Sequence, residues 1–249
     1  MNGCISIERL LSKLDGYLHK NDYPAAERHL LYWLSESEAN NDSRTELTLR
    51  NELMGLYRKL GKREQALDCA NTALQTIERE KISHQVGAAT TLLNCATVYK
   101  AFGKASEAIP LFEQTKKVYE GELNNDDPRL GGLYNNMALA LVDVGRFSEA
   151  NELYEKAIAV MQKQENGTPE IAITYLNMAT AAEAALGALD ADEQINTYLD
   201  QAERLLDEAP VKDGSYAFVC EKCASVFGYY GRFIYEKELQ ERARRIYER

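Results

Sequence analysis

Apolar residues recur along the chain with helical spacing, and short polar turns that contain glycine interrupt these runs. Three such turns cover residues 59–62, 101–104 and 143–146, and their glycines lie 42 residues apart. The neighbouring positions repeat as well: an aromatic residue or leucine stands four residues before each glycine, and an alanine stands five residues after it. These positions are Tyr57, Tyr99 and Leu141 before the glycines, and Ala66, Ala108 and Ala150 after them. The pattern predicts a repeated unit of helix, tight turn and second helix.

The repeat extends weakly in both directions. Asn21 takes the place of the glycine upstream, and Gly187 and Gly231 continue the series downstream. Three prolines fall between repeats, where one helix must end and the next begin. They are Pro128, Pro169 and Pro210. Six units fit the sequence, at about 4–40, 43–82, 84–123, 127–166, 168–209 and 213–249.

Two physical requirements explain the repeated positions. Glycine or asparagine after the first helix accepts the left-handed backbone that closes a tight helical hairpin. The small alanines let the second helix approach the first closely. One hairpin cannot bury its apolar faces alone, so neighbouring units must stack. We therefore predict an all-α fold, a right-handed superhelical α-solenoid of about six antiparallel helix pairs, in a single domain over 1–249.

The segments 145–150 and 154–158 resemble the tetratricopeptide repeat, and the 42-residue period resembles the kinesin light chain subclass of that family. Segments 126–128 and 133–138 are similar to the loop between repeats and the helix start of this subclass. Pro110 resembles its proline inside the second helix. The chain lacks the coiled-coil heptads of kinesin light chains, so the resemblance does not imply a motor role.

The resemblance implies that the first helix of each pair lines a concave face that binds a peptide. Asn94 and Asn136 stand nine residues before their turn glycines, and Asn177 stands ten residues before Gly187. A side-chain amide suits a peptide backbone because it both donates and accepts hydrogen bonds. The same helical faces carry Asn51, Glu52, Arg58, Thr97, Lys100, Asn135, Leu139, Asp143, Thr180 and Glu183 as companion residues. The alternative is that the asparagines only brace neighbouring helices.

The function we expect is that of a protein–protein interaction scaffold or adaptor that holds a peptide or protein segment. One alternative is a regulatory peptide sensor of the quorum-sensing-receptor type, which would act through a partner chain. Another is an oligomeric structural scaffold, in which Trp33 or the aromatic residues at 229, 230 and 233 would form contacts between chains. We expect those aromatic residues to belong to the core, and the protein to be a monomer or a weak homo-oligomer.

The net charge of the chain limits the classes of partner that it is expected to bind. The 249 residues carry a formal net charge of −10, which disfavours binding to nucleic acid. The C-terminal arginines 242, 244, 245 and 249 alternate with glutamates and predict a solvated helix face. The sequence has no run of apolar residues long enough for a membrane span, and residues 1–4 do not resemble a signal peptide. The five scattered cysteines indicate reduced thiols, so we expect a cytoplasmic protein.

Candidate chemistry is sparse. Cys220 and Cys223 have the spacing of a redox motif or half of a zinc site, but no second pair follows, and core packing is the interpretation we favour. The histidines at 19, 29 and 84 are scattered, and no phosphate-binding loop or catalytic motif occurs. We expect no catalytic residues, no metal site and no cofactor, and hence no enzyme.

Overall fold

The computed structural model describes residues 6–248. These residues form twelve α-helices and no strand. The chain divides into two compact units, Met1–Glu122 and Leu123–Arg249, each of which contains three helix pairs. The all-α fold class and the six antiparallel pairs predicted from the sequence are confirmed, whereas the single domain over 1–249 stays a prediction.

In unit 1, each odd-numbered helix packs against the even-numbered helix that follows it, and α3 also packs against α5. The helices are α1 (Ile7–Leu18), α2 (Tyr23–Ala39), α3 (Ser43–Lys59), α4 (Arg63–Glu80), α5 (Val86–Ala101) and α6 (Ala105–Glu122).

In unit 2, the helices pair in the same way, and α9 contacts both α7 and α11. The helices are α7 (Pro128–Asp143), α8 (Phe147–Met161), α9 (Thr168–Leu186), α10 (Asp192–Asp207), α11 (Gly214–Tyr229) and α12 (Phe233–Tyr247).

The turns within the pairs have the left-handed backbone that the glycine pattern predicts. Asn21, Gly61, Gly103, Gly145 and Gly231 all have positive φ angles, between 53° and 82°. In each case the next residue donates its backbone N–H, at 2.9 Å, to the carbonyl of the repeated residue four positions before the turn residue. This bond satisfies a carbonyl that the end of the first helix would otherwise leave unpaired. The extra residue before Gly187 gives that turn a different closure, through a bond from its N–H to the Glu183 carbonyl.

Small side chains lie where the paired helices approach each other most closely. Ala66, Ala108 and Ala150 have no exposed surface, which confirms their predicted packing role. Pro128 and Pro169 lie in the first turns of α7 and α9, where a missing backbone N–H costs no helical hydrogen bond. Pro210 lies instead within the loop between α10 and α11, so two of the three prolines between repeats start a helix.

The four cysteines that the structure describes are free thiols in the core. Cys220 and Cys223 are 0% and 1% exposed, as the core interpretation predicted. Burial raises the pKa of both thiols, so the reactive thiolate form is disfavoured at neutral pH. Cys4 lies outside the described residues, as do the other residues of 1–5 and Arg249.

Two expectations for the C-terminal helices were wrong. Tyr229 and Phe233 are 71% and 62% exposed. Tyr229 stands two residues before its turn glycine, a position that is also exposed in the earlier pairs, at Lys59, Ala101 and Asp143. Tyr230 and Trp33 are half-buried. Arg242 does not lie on a solvated face, since its guanidinium bonds to Asp207, Glu238 and the Tyr216 hydroxyl. Although burial opposes the charge, these bonds raise its pKa.

Tyr154 of α8 is fully buried, and its hydroxyl has no hydrogen-bond partner. Tyr154→Phe is therefore expected to raise the free energy of unfolding by about 1 kcal/mol, because it removes a buried polar group that nothing satisfies. Urea unfolding followed by far-UV circular dichroism measures the change.

Tyr119 of α6 provides the matched control. It is equally buried, but its hydroxyl lies 2.7 Å from the Thr90 Oγ1 atom. Tyr119→Phe should lower the free energy of unfolding by about 1 kcal/mol. Equal effects of the two substitutions would mean that the Tyr154 hydroxyl is satisfied after all.

Candidate functional site

The candidate binding surface is formed by the odd-numbered helices. Residues three or four positions apart lie on one face of a helix, so the predicted residues of each odd helix form a row along it. We call the rows of α3 and α5 in unit 1 the α3–α5 face. We call the rows of α7, α9 and α11 in unit 2 the α7–α11 face.

On the α3–α5 face, Asn51 braces two helices. Its Nδ2 atom donates to the Thr91 Oγ1 atom of α5 at 3.1 Å. The Oδ1 atom of the same amide is buried and has no partner. The side chain is thus committed to helix packing and leaves little to offer a ligand.

Glu52 and Arg58 also belong to the α3–α5 face. The surrounding protein raises the pKa of the Glu52 carboxyl by desolvation, helped by the negative charge of Asp15 on α1. Desolvation also lowers the pKa of the Arg58 guanidinium. Arg58 has no carboxylate partner within residues 6–248. Arg58 is exposed to solvent, so its guanidinium can pair with a carboxylate that a ligand brings.

The α5 row consists of Asn94, Thr97 and Lys100, which are all half-buried. Thr97 donates to the Leu93 carbonyl of its own helix at 2.7 Å. The Asn94 amide makes no hydrogen bond to another residue in the part of the chain that the structure describes. Its donor and acceptor are both available to a ligand.

Two neighbouring asparagines of the α7 row have different hydrogen-bond partners. The Asn135 Oδ1 atom accepts a hydrogen bond from the Asn177 Nδ2 atom of α9 at 3.1 Å. Asn136 donates instead to the Gly132 carbonyl of its own helix at 2.8 Å. Its Oδ1 atom is not used by another helix. Leu139 is half-buried and Asp143 is exposed on the same helix.

On α9, Thr180 is exposed and donates to the Leu176 carbonyl at 3.2 Å. The Glu183 carboxylate accepts two hydrogen bonds from α11 and the turn after it. Tyr229 donates to its Oε1 atom at 2.9 Å, and Tyr230 donates to its Oε2 atom at 2.8 Å. Burial and the hydrogen bond to Glu183 raise the pKa of Tyr230. Glu183 therefore joins α9 to α11.

The sequence analysis missed the contribution of α11 to this face. Phe218 is 48% exposed, and the Lys222 Nζ atom lies 4.4 Å from the centre of its ring. Lys222 also acts on α9, since its charge partly offsets the rise that burial causes in the pKa of Glu170. Lys222 stands nine residues before Gly231. The spacing that identified Asn94 and Asn136 therefore also identifies Lys222, although its side chain is not an amide.

The predicted asparagines consequently fall into two groups. Asn51, Asn135 and Asn177 hydrogen-bond to the neighbouring odd helix, as the bracing alternative describes. Within the described residues, Asn94 and Asn136 do not bond to another helix. Only the second group has hydrogen-bonding capacity that a peptide backbone could use.

Within residues 6–248, no group of three His, Cys, Asp or Glu side chains could hold a metal ion. None of the described helices combines the length and the hydropathy that a membrane span requires.

Comparison with known families identifies the repeat. Residues 45–121 match one tetratricopeptide repeat model, and residues 131–163 match a second. The chain contains tetratricopeptide repeats. The matched segments lie in both units and include the most regular repeats of the sequence.

Solved structures show the same repeat fold at low sequence identity. The crystal structure of BtubC (BKLC) from P. vanneervenii has a TM-score of 0.67 and 19% identity, over 80% of this chain and 79% of that chain. A putative kinesin light chain of Podosopora anserina with nearly identical repeats has a TM-score of 0.56 and 20% identity, over 82% and 95% of the two chains. These likenesses confirm the predicted resemblance to kinesin-light-chain-like repeats. A search of curated protein sequences found no match to the chain.

The tetratricopeptide fold supports a general role as a protein–protein interaction scaffold. Such scaffolds are typically not enzymes.

Proposed function

We propose that the protein binds an extended segment of a partner protein on the exposed faces of its odd-numbered helices, as a cytoplasmic scaffold or adaptor. The observation that carries the proposal is the state of Asn94 and Asn136. Both are half-buried on first helices of their pairs, and neither bonds to another helix in the part of the chain that the structure describes. An amide in that position can donate to a peptide carbonyl and accept from a peptide N–H.

Charges on the two faces favour different ligand side chains. Arg58 on the α3–α5 face favours a carboxylate, because its exposed guanidinium has no carboxylate partner within residues 6–248. On the α7–α11 face, the exposed ring of Phe218 offers an apolar contact beside the ammonium of Lys222. Hydrogen bonds to the peptide backbone would set orientation, and these side chains would set selectivity.

The experiment begins with a random dodecapeptide display library selected on the immobilised wild-type protein. The best peptide is then titrated by isothermal calorimetry against the wild type and Asn94→Ala/Asn136→Ala. Each lost hydrogen bond is worth about 0.5–1.5 kcal/mol, so the dissociation constant should rise about twofold to tenfold for each of the two asparagines that contacts the peptide. Since both side chains are half-buried and brace no other helix, stability should stay unchanged.

The matched control is Asn151→Ala/Asn196→Ala, which removes two exposed asparagines from the even-numbered helices α8 and α10. Its dissociation constant should equal that of the wild type. The proposal would be rejected if the Asn94 and Asn136 substitutions left the affinity unchanged, or if the control weakened binding equally.

A further inference from the structure

Five large apolar side chains are exposed around the last two turns of unit 2. They are Leu186 at 54%, Leu189 at 93%, Tyr229 at 71%, Phe233 at 62% and Ile234 at 86% exposed. We call these five residues the turn patch. Single exposed apolar residues need no explanation, but a group of this size on one edge usually marks an interaction surface.

Hydrogen bonds hold the two turns side by side. Glu183, at the end of α9, accepts from Tyr229 and Tyr230 before the second turn. Arg232 of the second turn bonds to Asp200 at 2.6 Å and to Glu203 at 2.9 Å, both on α10. Leu186 and Leu189 lie in the chain between Glu183 and α10. The patch is therefore built on a fixed arrangement of the two turns.

The earlier turns do not share this feature. The position two residues after the turn glycine carries Leu189 and Phe233 in the last two turns, but Arg63, Ala105 and Phe147 before them. Ala105 is buried and Phe147 is half-buried. The position three residues after the glycine carries the exposed Ile234 in the last turn. The earlier turns have Glu64, Ser106, Ser148 and Asp190 there. The repeat itself therefore does not require exposed apolar side chains at these positions.

The charge around the patch indicates what covers it. Asp190, Asp192 and Glu193 are exposed beside Leu189 in the chain, and one exposed lysine, Lys237, lies near Ile234. Glu238 is already paired with Arg242. Arg232 is already paired with two carboxylates. A second copy of this chain would bring the same negative rim against this one, and like charges at an interface oppose association. A partner segment that carries lysine or arginine beside its apolar side chains would complement both parts of the surface.

We propose that the turn patch is a second docking surface, separate from the odd-helix faces, which binds an amphipathic basic segment of a partner protein. Leu189 and Ile234 are its most exposed members and make the apolar contact. The acidic side chains around them pair with the basic residues of the segment.

The probe is a fluorescent fourteen-residue amphipathic peptide of leucine and lysine, titrated by anisotropy. We expect Leu189→Ser/Ile234→Ser to weaken its binding by about tenfold or more, since two buried apolar contacts are lost. Both side chains are almost fully exposed, so the variant should fold as the wild type does. Leu31→Ser/Tyr32→Ser is the matched control, because it removes two exposed apolar residues of unit 1 and should leave binding unchanged.

Two further peptides test the chemistry of the occupant. A leucine–glutamate peptide and a serine–lysine peptide should both bind at least tenfold more weakly than the leucine–lysine peptide. The first lacks the basic side chains that pair with the acidic residues, and the second lacks the apolar side chains that contact the patch. The variant Asn94→Ala/Asn136→Ala should bind the leucine–lysine peptide as tightly as the wild type. This result distinguishes binding at the turn patch from the proposed binding on the odd-helix faces, so either proposal can fail alone.

Equal binding of the peptide to the wild type and to Leu189→Ser/Ile234→Ser would overturn the proposal. Tight binding of the leucine–glutamate peptide would do so as well. Sedimentation of the wild type as a dimer that becomes a monomer in this variant would show that a second copy covers the patch, which would also overturn it.

Discussion

Replacing Arg50 by leucine is expected to lower the free energy of unfolding by about 3–5 kcal/mol, because it leaves a buried carboxylate without its main partner. The Arg50 Nε atom donates to the Glu46 Oε1 atom at 2.9 Å, and Nη2 donates to Glu38 of α2 at 2.6 Å. Thr76 of α4 donates to the same Glu46 oxygen at 3.0 Å. The side chains of Arg50 and Glu46 are less than 10% exposed. This network joins α2, α3 and α4.

Removal of both charges should recover most of the loss. Arg50→Leu/Glu46→Leu leaves no buried charge unpaired, and apolar side chains of similar size fill the space. Glu38 is half-exposed and returns to water. The double variant should therefore be clearly more stable than Arg50→Leu alone.

Arg79→Leu is the matched control for this network. Arg79 also faces Glu46, at 3.6 Å, but its side chain is 60% exposed. Exposed pairs contribute about 0–1 kcal/mol, so the control should change stability by less than about 1 kcal/mol. Trp33, the single tryptophan, lies on α2 in unit 1. Its fluorescence during urea unfolding reports the unit that holds the network. Equal losses in Arg50→Leu and Arg79→Leu would contradict this account of the network.

Phe112→Ala is expected to cost about 3–5 kcal/mol, because truncation of a buried aromatic ring loses apolar burial and leaves a cavity. Phe112 lies on α6 and has no exposed surface. It lies nine residues after Gly103, where the equivalent positions are Ala70 and Tyr154. These three residues differ greatly in side-chain size. The space that Phe112 fills is therefore specific to its own helix pair.

Trp33 fluorescence during urea unfolding measures the effect of Phe112→Ala as well. The adjacent exposed Glu113 provides the control, since Glu113→Ala should change stability by less than about 0.5 kcal/mol. A loss below about 1 kcal/mol for Phe112→Ala would mean that α6 packs less tightly than its burial indicates.

The fold was largely predictable from the sequence because its main determinants are local. A glycine with positive φ and an alanine at a close helix contact are required by geometry within one pair. Repetition of these positions every 42 residues then identifies the pairs. The buried Arg50–Glu46 network was not predicted. Arginine and glutamate four residues apart are typical of a solvated helix face, and only the packing of α2 and α4 buries them.

The candidate site was predictable only in part, for two physical reasons. Successive residues on a helix differ in direction by about 100°, so a difference of one position separates the bracing Asn135 from the available Asn136. Tyr229 was expected in the core because it is aromatic, whereas the residue two positions before the turn glycine is exposed in the earlier pairs as well, at Lys59, Ala101 and Asp143. The position in the repeat decides its exposure, and the residue type does not.

The most direct test of the central claim is the NMR spectrum of the side-chain amides of the ¹⁵N-labelled protein, recorded with and without the selected dodecapeptide. We expect the amide resonances of Asn94, of Asn136 or of both to shift on titration, according to which face the peptide binds. The amide resonances of Asn151 and Asn196 on the even-numbered helices should stay in place. Shifts confined to Asn151 and Asn196 would contradict the claim that the odd-numbered helices form the binding surface.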